Sequence, residues 1–315
     1  MNVLLSVAFV LCWSSGFIGA RLGAGTAAAL TTLTWRFVPL AVVLLAAATV
    51  RSAWRGLTPR DVARQAAIGL LSQSGYLLTV YSAIGLGVSS GTTALIDGVQ
   101  PLVVGALAGP LLRQRVPLRQ WAGLGLGLAG VAVVVTADAG ASPAVAWWAF
   151  AVPFGGMLSL VAATFLTART AGAAPVPPLA SMAVHATTSA VVFAALAAAA
   201  GTARPPASDS FWTAVAWLIA LSTFGGYGLY WHILKRSGVT RVNALMFLMA
   251  PVTAIWGALM FGEPFSVRTA AGLALSLAAV RLGGPARAPG AALAGADRGG
   301  LSPAKRAWPP PRRRR

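Results

Sequence analysis

Acidic residues are scarce in this chain: six Asp and Glu stand against 24 Lys and Arg in 315 residues, a formal net charge of +18. Cysteine is scarcer still. Cys12 is alone, which excludes an internal disulfide and leaves it to pack as a small apolar residue. Histidine occurs only at positions 185 and 232. With so few ligand-type side chains there is no His and Cys cluster at metal spacing, no HExxH, and no glycine-rich phosphate loop followed by its lysine. Neither a catalytic set nor a resident metal is therefore expected, and the chain calls for no cofactor.

Hydrocarbon is what the chain has in quantity. Some 57% of residues are hydrophobic and only 10% charged, too few polar groups to cover a water-soluble fold of this size. The apolar residues gather into ten segments, at 3–21, 30–50, 64–84, 88–112, 117–137, 145–167, 179–200, 210–233, 238–261 and 267–283. Each is near the ~20 residues that cross a bilayer core. The expectation is an all-α polytopic membrane protein with ten transmembrane helices.

Charge then sets the orientation. With the N-terminus in the cytoplasm, 20 of the 24 basic residues fall inside, in alternate gaps and the C-terminal tail. Three fall outside (Arg21, Arg204, Arg268), and Arg36 alone lies within a span. The reverse orientation breaks the positive-inside rule. Both termini are thus expected in the cytoplasm, in a bacterial-type inner membrane. The first segment lacks a basic n-region and nine more spans come after it, so no cleavable signal peptide is expected. Arginines beside helix ends meet anionic lipid head groups, so the charge does not point to nucleic acid. Trp54, Trp121, Trp147, Trp148, Trp212 and Trp231 lie near span ends as interface anchors do, whereas Trp13, Trp35, Trp217 and Trp256 lie deeper. Beyond Arg281 the composition shifts to Pro, Gly, Ala and Arg, ending WPPPRRRR. Residues 284–315 are expected to form a disordered basic tail held against the inner leaflet.

An internal repeat organises the rest. The stretch YLLTVYSAIGLGVSSGTTALIDGVQPLVV, from Tyr76, lines up with YGLYWHILKRSGVTRVNALMFLMAPVTAI, from Tyr227. Tyr76 falls on Tyr227 and Gly87-Val88 on Gly238-Val239; single-residue shifts then place Pro101 on Pro251 and Gly123 on Gly272. The expected halves are residues 1–140 and 141–283. Five helices is an odd number, so the second copy enters the membrane from the opposite side. Inverted repeats of this kind build many secondary transporters, with a site near midplane where the halves meet. Where the inside loop of the first copy reads Arg113-Gln-Arg, the outside loop of the second reads Gly262-Glu263-Pro264, so one scaffold carries different charges for two faces. Pro101 and Pro251, inside spans at equivalent places, are candidate gating kinks or plain packing kinks.

Intramembrane polar groups are the functional candidates, because hydrocarbon makes them costly. Asp97 lies about nine residues in from the outer face of the fourth span and Arg36 about six in from the same face of the second, comparable depths at ~1.5 Å per residue. Gln100 comes three residues after Asp97 and shares its helix face. The three read as one polar cluster. Either Asp97 binds a proton or a cationic group and Arg36 a carboxylate, or the two neutralise each other structurally. Gln73 and Tyr76 offer hydrogen bonds to a ligand or to another helix, and His185 is a proton relay or a bonded interior histidine. Asn243 is a substrate contact or a cap. Trp13, Tyr76, Tyr227 and Trp256 are candidate aromatic walls suited to amphipathic or cationic cargo, or else packing residues. Glu263, before Pro264, suits the N-terminus of the closing helix.

The stretches CWSSGFIGARLG, TLTWRFVPLAVVLLA, GVSSGTTALIDGVQPLVVGALAG and ALMFLMAPVTAIWGALMFGEPFSVRTAAGLALSLAAV resemble the EamA-type branch of the drug/metabolite transporter superfamily over residues 3–283. The resemblance implies ten helices in two inverted repeats with both termini inside, and gradient-driven export of small metabolites such as amino acids, amines or drug-like molecules. Arg113 stands where the first half of that family commonly carries a Glu, which favours a structural role for Glu263. The expected cavity lies between the halves, lined by helices one, three, four, six, eight and nine. An importer, a facilitative channel, a non-transporting scaffold and an intramembrane enzyme are the rival readings. The last needs a convergent catalytic set. A small-molecule substrate and the lipid bilayer are the expected partners, and a homodimer is left open.

Overall fold

The computed structural model describes residues 3–112, 116–170 and 172–283, and the expected tail and the Arg113-Gln-Arg loop lie outside them. Among the described residues the structure is helical, with no strand. Helices α1 (Val3–Ala24) and α2 (Ala29–Val50) are the first two spans. The third is a composite of α3 (Pro59–Gly69), a π-helical segment at Leu70–Gly75, and α4 (Tyr76–Gly85). The fourth is broken at Val99 into α5 (Ser90–Gly98) and α6 (Gln100–Leu112), and α7 (Leu118–Ala141) is the fifth. The second half repeats this plan. It comprises α8 (Val152–Arg169) behind a short turn at Trp147–Ala151, then α9 (Pro178–Ala199), α10 (Asp209–Trp217), a π-helical segment at Leu218–Tyr227, α11 (Gly228–Met246), α12 (Met249–Phe261) and α13 (Val267–Gly283). Among the described residues, eight helical units are long and apolar enough to cross a membrane, and Met249–Phe261 is a shorter apolar helix.

Packing reveals the symmetry. Helix α2 lies against α9, α7 against α13, and α5 against α12. Helix α1 packs on the π segment 218–227, as α8 packs on the π segment 70–75. Exchanging the halves maps α2–α9 and α7–α13 onto themselves and the α1 contact onto the α8 contact, as two inverted copies require, whereas α5–α12 is made on one side only, since α12 corresponds to α6. In lipid, apolar surface gains nothing by choosing a helix over an acyl chain, so close backbone approach has to hold such pairs. At α7 and α13 the approach is extreme: a Cβ on Gly130 comes 2.6 Å from the Gly272 carbonyl oxygen, and one on Gly272 comes 2.7 Å from that of Gly130. The opposite faces present bare aliphatics, such as Val42, Val43, Val191 and Leu259.

Three details differ from the sequence reading. Pro101 and Pro251 are not kinks inside continuous helices. They occupy the first turns of α6 and α12, just after breaks at Val99 and at Phe247–Leu248, where a missing N–H costs nothing. Gly87 takes φ +101° and ends the third span sharply, whereas α11 runs unbroken across the connection expected at 234–237. Finally, the first turn of α13 is closed by Ser266 and Thr269, so Glu263 is free for another task.

Candidate functional site

A cavity of about 60 Å³ lies on the seam between the halves. Trp13, Gly16 and Phe17 of α1, Arg36 of α2, and Ser72, Gln73, Tyr76 and Leu77 of the third span line it from the first half. Ser222 and Tyr227 complete it from the second. Spans one, three and eight contribute as expected. Span two replaces the expected four, six and nine.

Each π segment carries a Gly-Tyr pair at its end: Gly75 closes the first and Tyr76 opens α4, the second ends in Gly226-Tyr227, and both tyrosines line the cavity. A π turn inserts one residue into the helical ladder and rotates the next turn of helix about its axis, and such turns concentrate at functional sites. The signal in the sequence is the repeat itself, since Tyr76 and Tyr227 align. Periodicity alone does not expose a π turn.

Arg36 is 4% exposed and makes only neutral bonds. Its Nη1 donates to Tyr81 Oη at 2.6 Å and its Nη2 to Thr223 Oγ1 at 3.1 Å and Ser222 Oγ at 3.3 Å, while Nε has no partner. Asp97 accepts from Tyr76 Oη at 2.7 Å through Oδ2, and its buried Oδ1 has no partner. The two ion pairs among the described residues are Arg21–Glu263 and Arg64–Asp61, so Arg36 and Asp97 do not neutralise each other. Gln100 stands across the Val99 break from Asp97 and donates to Thr164 Oγ1 at 3.2 Å. The expected three-residue cluster is thus divided among different partners, because the break removes the shared helix face.

Gln73 accepts from Ser189 Oγ at 3.0 Å and lines the cavity together with Tyr227. Trp13 packs in tilted arrangements on Tyr227, at 5.4 Å, and on Tyr230, at 5.8 Å between ring centroids. Trp256 packs on Trp217 at 5.9 Å, away from the cavity lining. Trp217 donates to Ser15 O, and Trp35 to Ala203 O. His185 Nε2 meets Gln65 Oε1 at 2.9 Å on α3, also outside the lining. The side chain of Asn243 lies outside the described residues. No group of three or more His, Cys, Asp or Glu able to hold a metal occurs among the described residues.

Sequence reading missed a carboxylate pair at the start of α5. Glu263 accepts the Ser90 N–H at 3.0 and 2.9 Å and the Ser90 hydroxyl at 2.7 Å, with Arg21 Nε at 3.6 Å. Asp138, 3% exposed at the end of α7, accepts the Ser89 N–H at 3.2 Å, the Ser89 hydroxyl at 2.7 Å and the Thr92 hydroxyl at 2.7 Å. Two acids therefore cap one helix N-terminus, where orphan N–H groups and the dipole both favour negative charge. Glu263 so ties α5 of the first half to the α12–α13 loop of the second. Asp138 lies just past a span as defined by hydropathy, so it reads as a loop residue until α7 is seen to extend to Ala141.

Comparison with known proteins agrees with this architecture. No curated protein matches the chain. A protein of known crystal structure matches at a TM-score of 0.57 and 23% identity, over 89% of this chain and 94% of its own, a likeness that bears on the fold alone. The EamA-like transporter family matches twice, over residues 1–136 and again over 146–282. The two matches coincide with the two packed halves and cover the membrane-spanning region, and the chain belongs to the EamA-like transporter family.

Proposed function

We propose that this chain exports small metabolites, in the range of amino acids, amines and drug-like molecules, by alternating access coupled to proton entry. The observation that carries this reading is the seam cavity, built from both inverted halves and bordered by a buried cation. At about 60 Å³ it holds a few water molecules, well short of the ~300 Å³ of a ligand pocket. Cargo therefore needs the halves to part, which is what alternating access supplies. Asp97 supports the coupling. Its carboxylate stands one tyrosine hydroxyl away from the cavity, with one oxygen unbonded, so it has room for a proton.

The α5 start, Arg21 and Glu263 all fall on the face that the charge count assigns to the outside, and their bonds tie the two halves together there, a contact that alternating access has to break. The same reading places the chain in the inner membrane with both termini in the cytoplasm, and takes 1–140 and 141–283 as the two repeats. Proteoliposomes supply the test, with a panel of metabolites and with or without a pH gradient. The expected result is counterflow of cargo together with efflux stimulated by proton entry. A facilitative channel gives flux without counterflow, an importer gives accumulation in the opposite sense, and exchange of no solute overturns the transport reading.

A further inference from the structure

We infer that Arg36 anchors a carboxylate of the cargo, so that the seam cavity selects monoanionic or zwitterionic amphipathic carboxylates over amines. The inference rests on the transport reading of this cavity and narrows its substrate class. A guanidinium 4% exposed in hydrocarbon is costly unless an opposite charge accompanies it. Among the described residues none does: the hydrogen-bond partners of Arg36 are three hydroxyls, the Phe37 ring centroid lies 5.1 Å from its guanidinium carbon, and its Nε–H is buried and unbonded. Asp97 is the acid at hand, yet it forms no ion pair with Arg36 and spends one oxygen on Tyr76.

Guanidinium presents five N–H donors in a planar fork that fits a carboxylate side-on. The bond to Ser222 is the longest of the three, at 3.3 Å, and Ser222 itself lines the cavity, so an incoming carboxylate oxygen has a weak neutral partner to displace. One cation offsets one negative charge. A dianionic phosphate leaves a charge uncompensated in the same low-dielectric space, which favours the carboxylate. Trp13, Tyr76 and Tyr227 supply apolar faces with polar tips for an amphipathic body. An amine, in contrast, brings a second positive charge to a cavity already bordered by an unneutralised one.

Three probes share one aromatic body and differ in charge: 3-phenylpropionate, L-phenylalanine and phenethylamine. Binding to the purified full chain in detergent, read by calorimetric titration, is expected to be at least tenfold tighter for 3-phenylpropionate than for phenethylamine. Arg36→Gln is expected to lose that preference by weakening the two carboxylates at least tenfold, and Arg36→Lys to keep part of it. Equal or tighter binding of phenethylamine, binding of none of the three, or a folded Arg36→Gln that binds 3-phenylpropionate undiminished overturns the inference. Should Arg36→Gln not fold, the wild-type preference and Arg36→Lys decide, a lysine variant with unchanged affinity for all three counting against it. Counterflow is scored separately, so a chain that binds the carboxylate yet exchanges no solute loses the transport reading and keeps this one.

Discussion

Tyr76 donates its hydroxyl to Asp97 at 2.7 Å, and the other carboxylate oxygen of Asp97 is buried without a partner. One side chain of the cavity wall thus holds the acid of the fourth span in place and separates it from the cavity. Under the proposed coupling, a proton moving from the cavity to Asp97 would pass the phenol, and a ligand touching the phenol would act on the acid.

Asp97→Asn keeps the shape and an acceptor for Tyr76 but removes the titrating group. Stimulation of efflux by a pH gradient is expected to disappear, with counterflow of cargo within about threefold of wild type, since exchange needs no net proton movement. Gradient-dependent efflux that survives in Asp97→Asn removes Asp97 from the coupling.

Glu263 takes three hydrogen bonds from Ser90, whereas its ion pair with the partly exposed Arg21 is long. Glu263→Ala strands the start of α5 and is expected to cost about 1–3 kcal/mol. Arg21→Ala should cost less than about 1 kcal/mol, as an exposed pair does. Thermal unfolding in detergent measures both, and equal losses contradict the assignment of Glu263 as a helix cap.

Asp138 and Ser89 cap the same turn and bond each other, so their effects are expected not to add. Ser89→Ala and Asp138→Ala singly, and then together, should show a coupling of about 1 kcal/mol or more in a double-mutant cycle of melting. Simple additivity rules out the shared cap.

Gly130 and Gly272 meet backbone to backbone, while a Cβ on Gly125 meets nothing within 4 Å. Gly130→Val or Gly272→Val should abolish monodisperse folded protein on size exclusion, and Gly125→Ala should leave yield and melting unchanged. A tolerated valine at either contact shows that α7 and α13 part more easily than their packing indicates.

Two tryptophans that look alike by depth in the sequence separate in space. Trp13 borders the cavity on Tyr227, and Trp256 packs on Trp217. Trp13→Ala is expected to raise the half-saturating cargo concentration about tenfold at unchanged folding, a size typical of losing an aromatic contact. Trp256→Ala should leave that concentration unchanged, and a matching effect there moves the cargo site toward α12.

Much of the scaffold was legible without coordinates, because spans obey a local rule: about twenty apolar residues bounded by charge. Tyr76 and Tyr227 stood out through the repeat and do share a cavity. Arg36 and Asp97 stood out as costly charges, but their depth along separate helices carried no information on whether they touch, and they do not. Gln100 was grouped with Asp97 by helical spacing, which fails at the Val99 break. Asp138 escaped notice because hydropathy ended its helix too early, and the work of Glu263 is done on a residue more than a hundred positions away.

The amino-acid order alone determined that the chain is a bundle of membrane helices in two related copies, since hydropathy, charge bias and self-similarity are properties of neighbouring residues. Only the tertiary structure decided that Arg36 has neutral partners, that Asp97 rests on Tyr76, and that two acids of distant segments close the start of α5. Those facts depend on which helices come within hydrogen-bond distance, and that is settled by how two inverted halves pack.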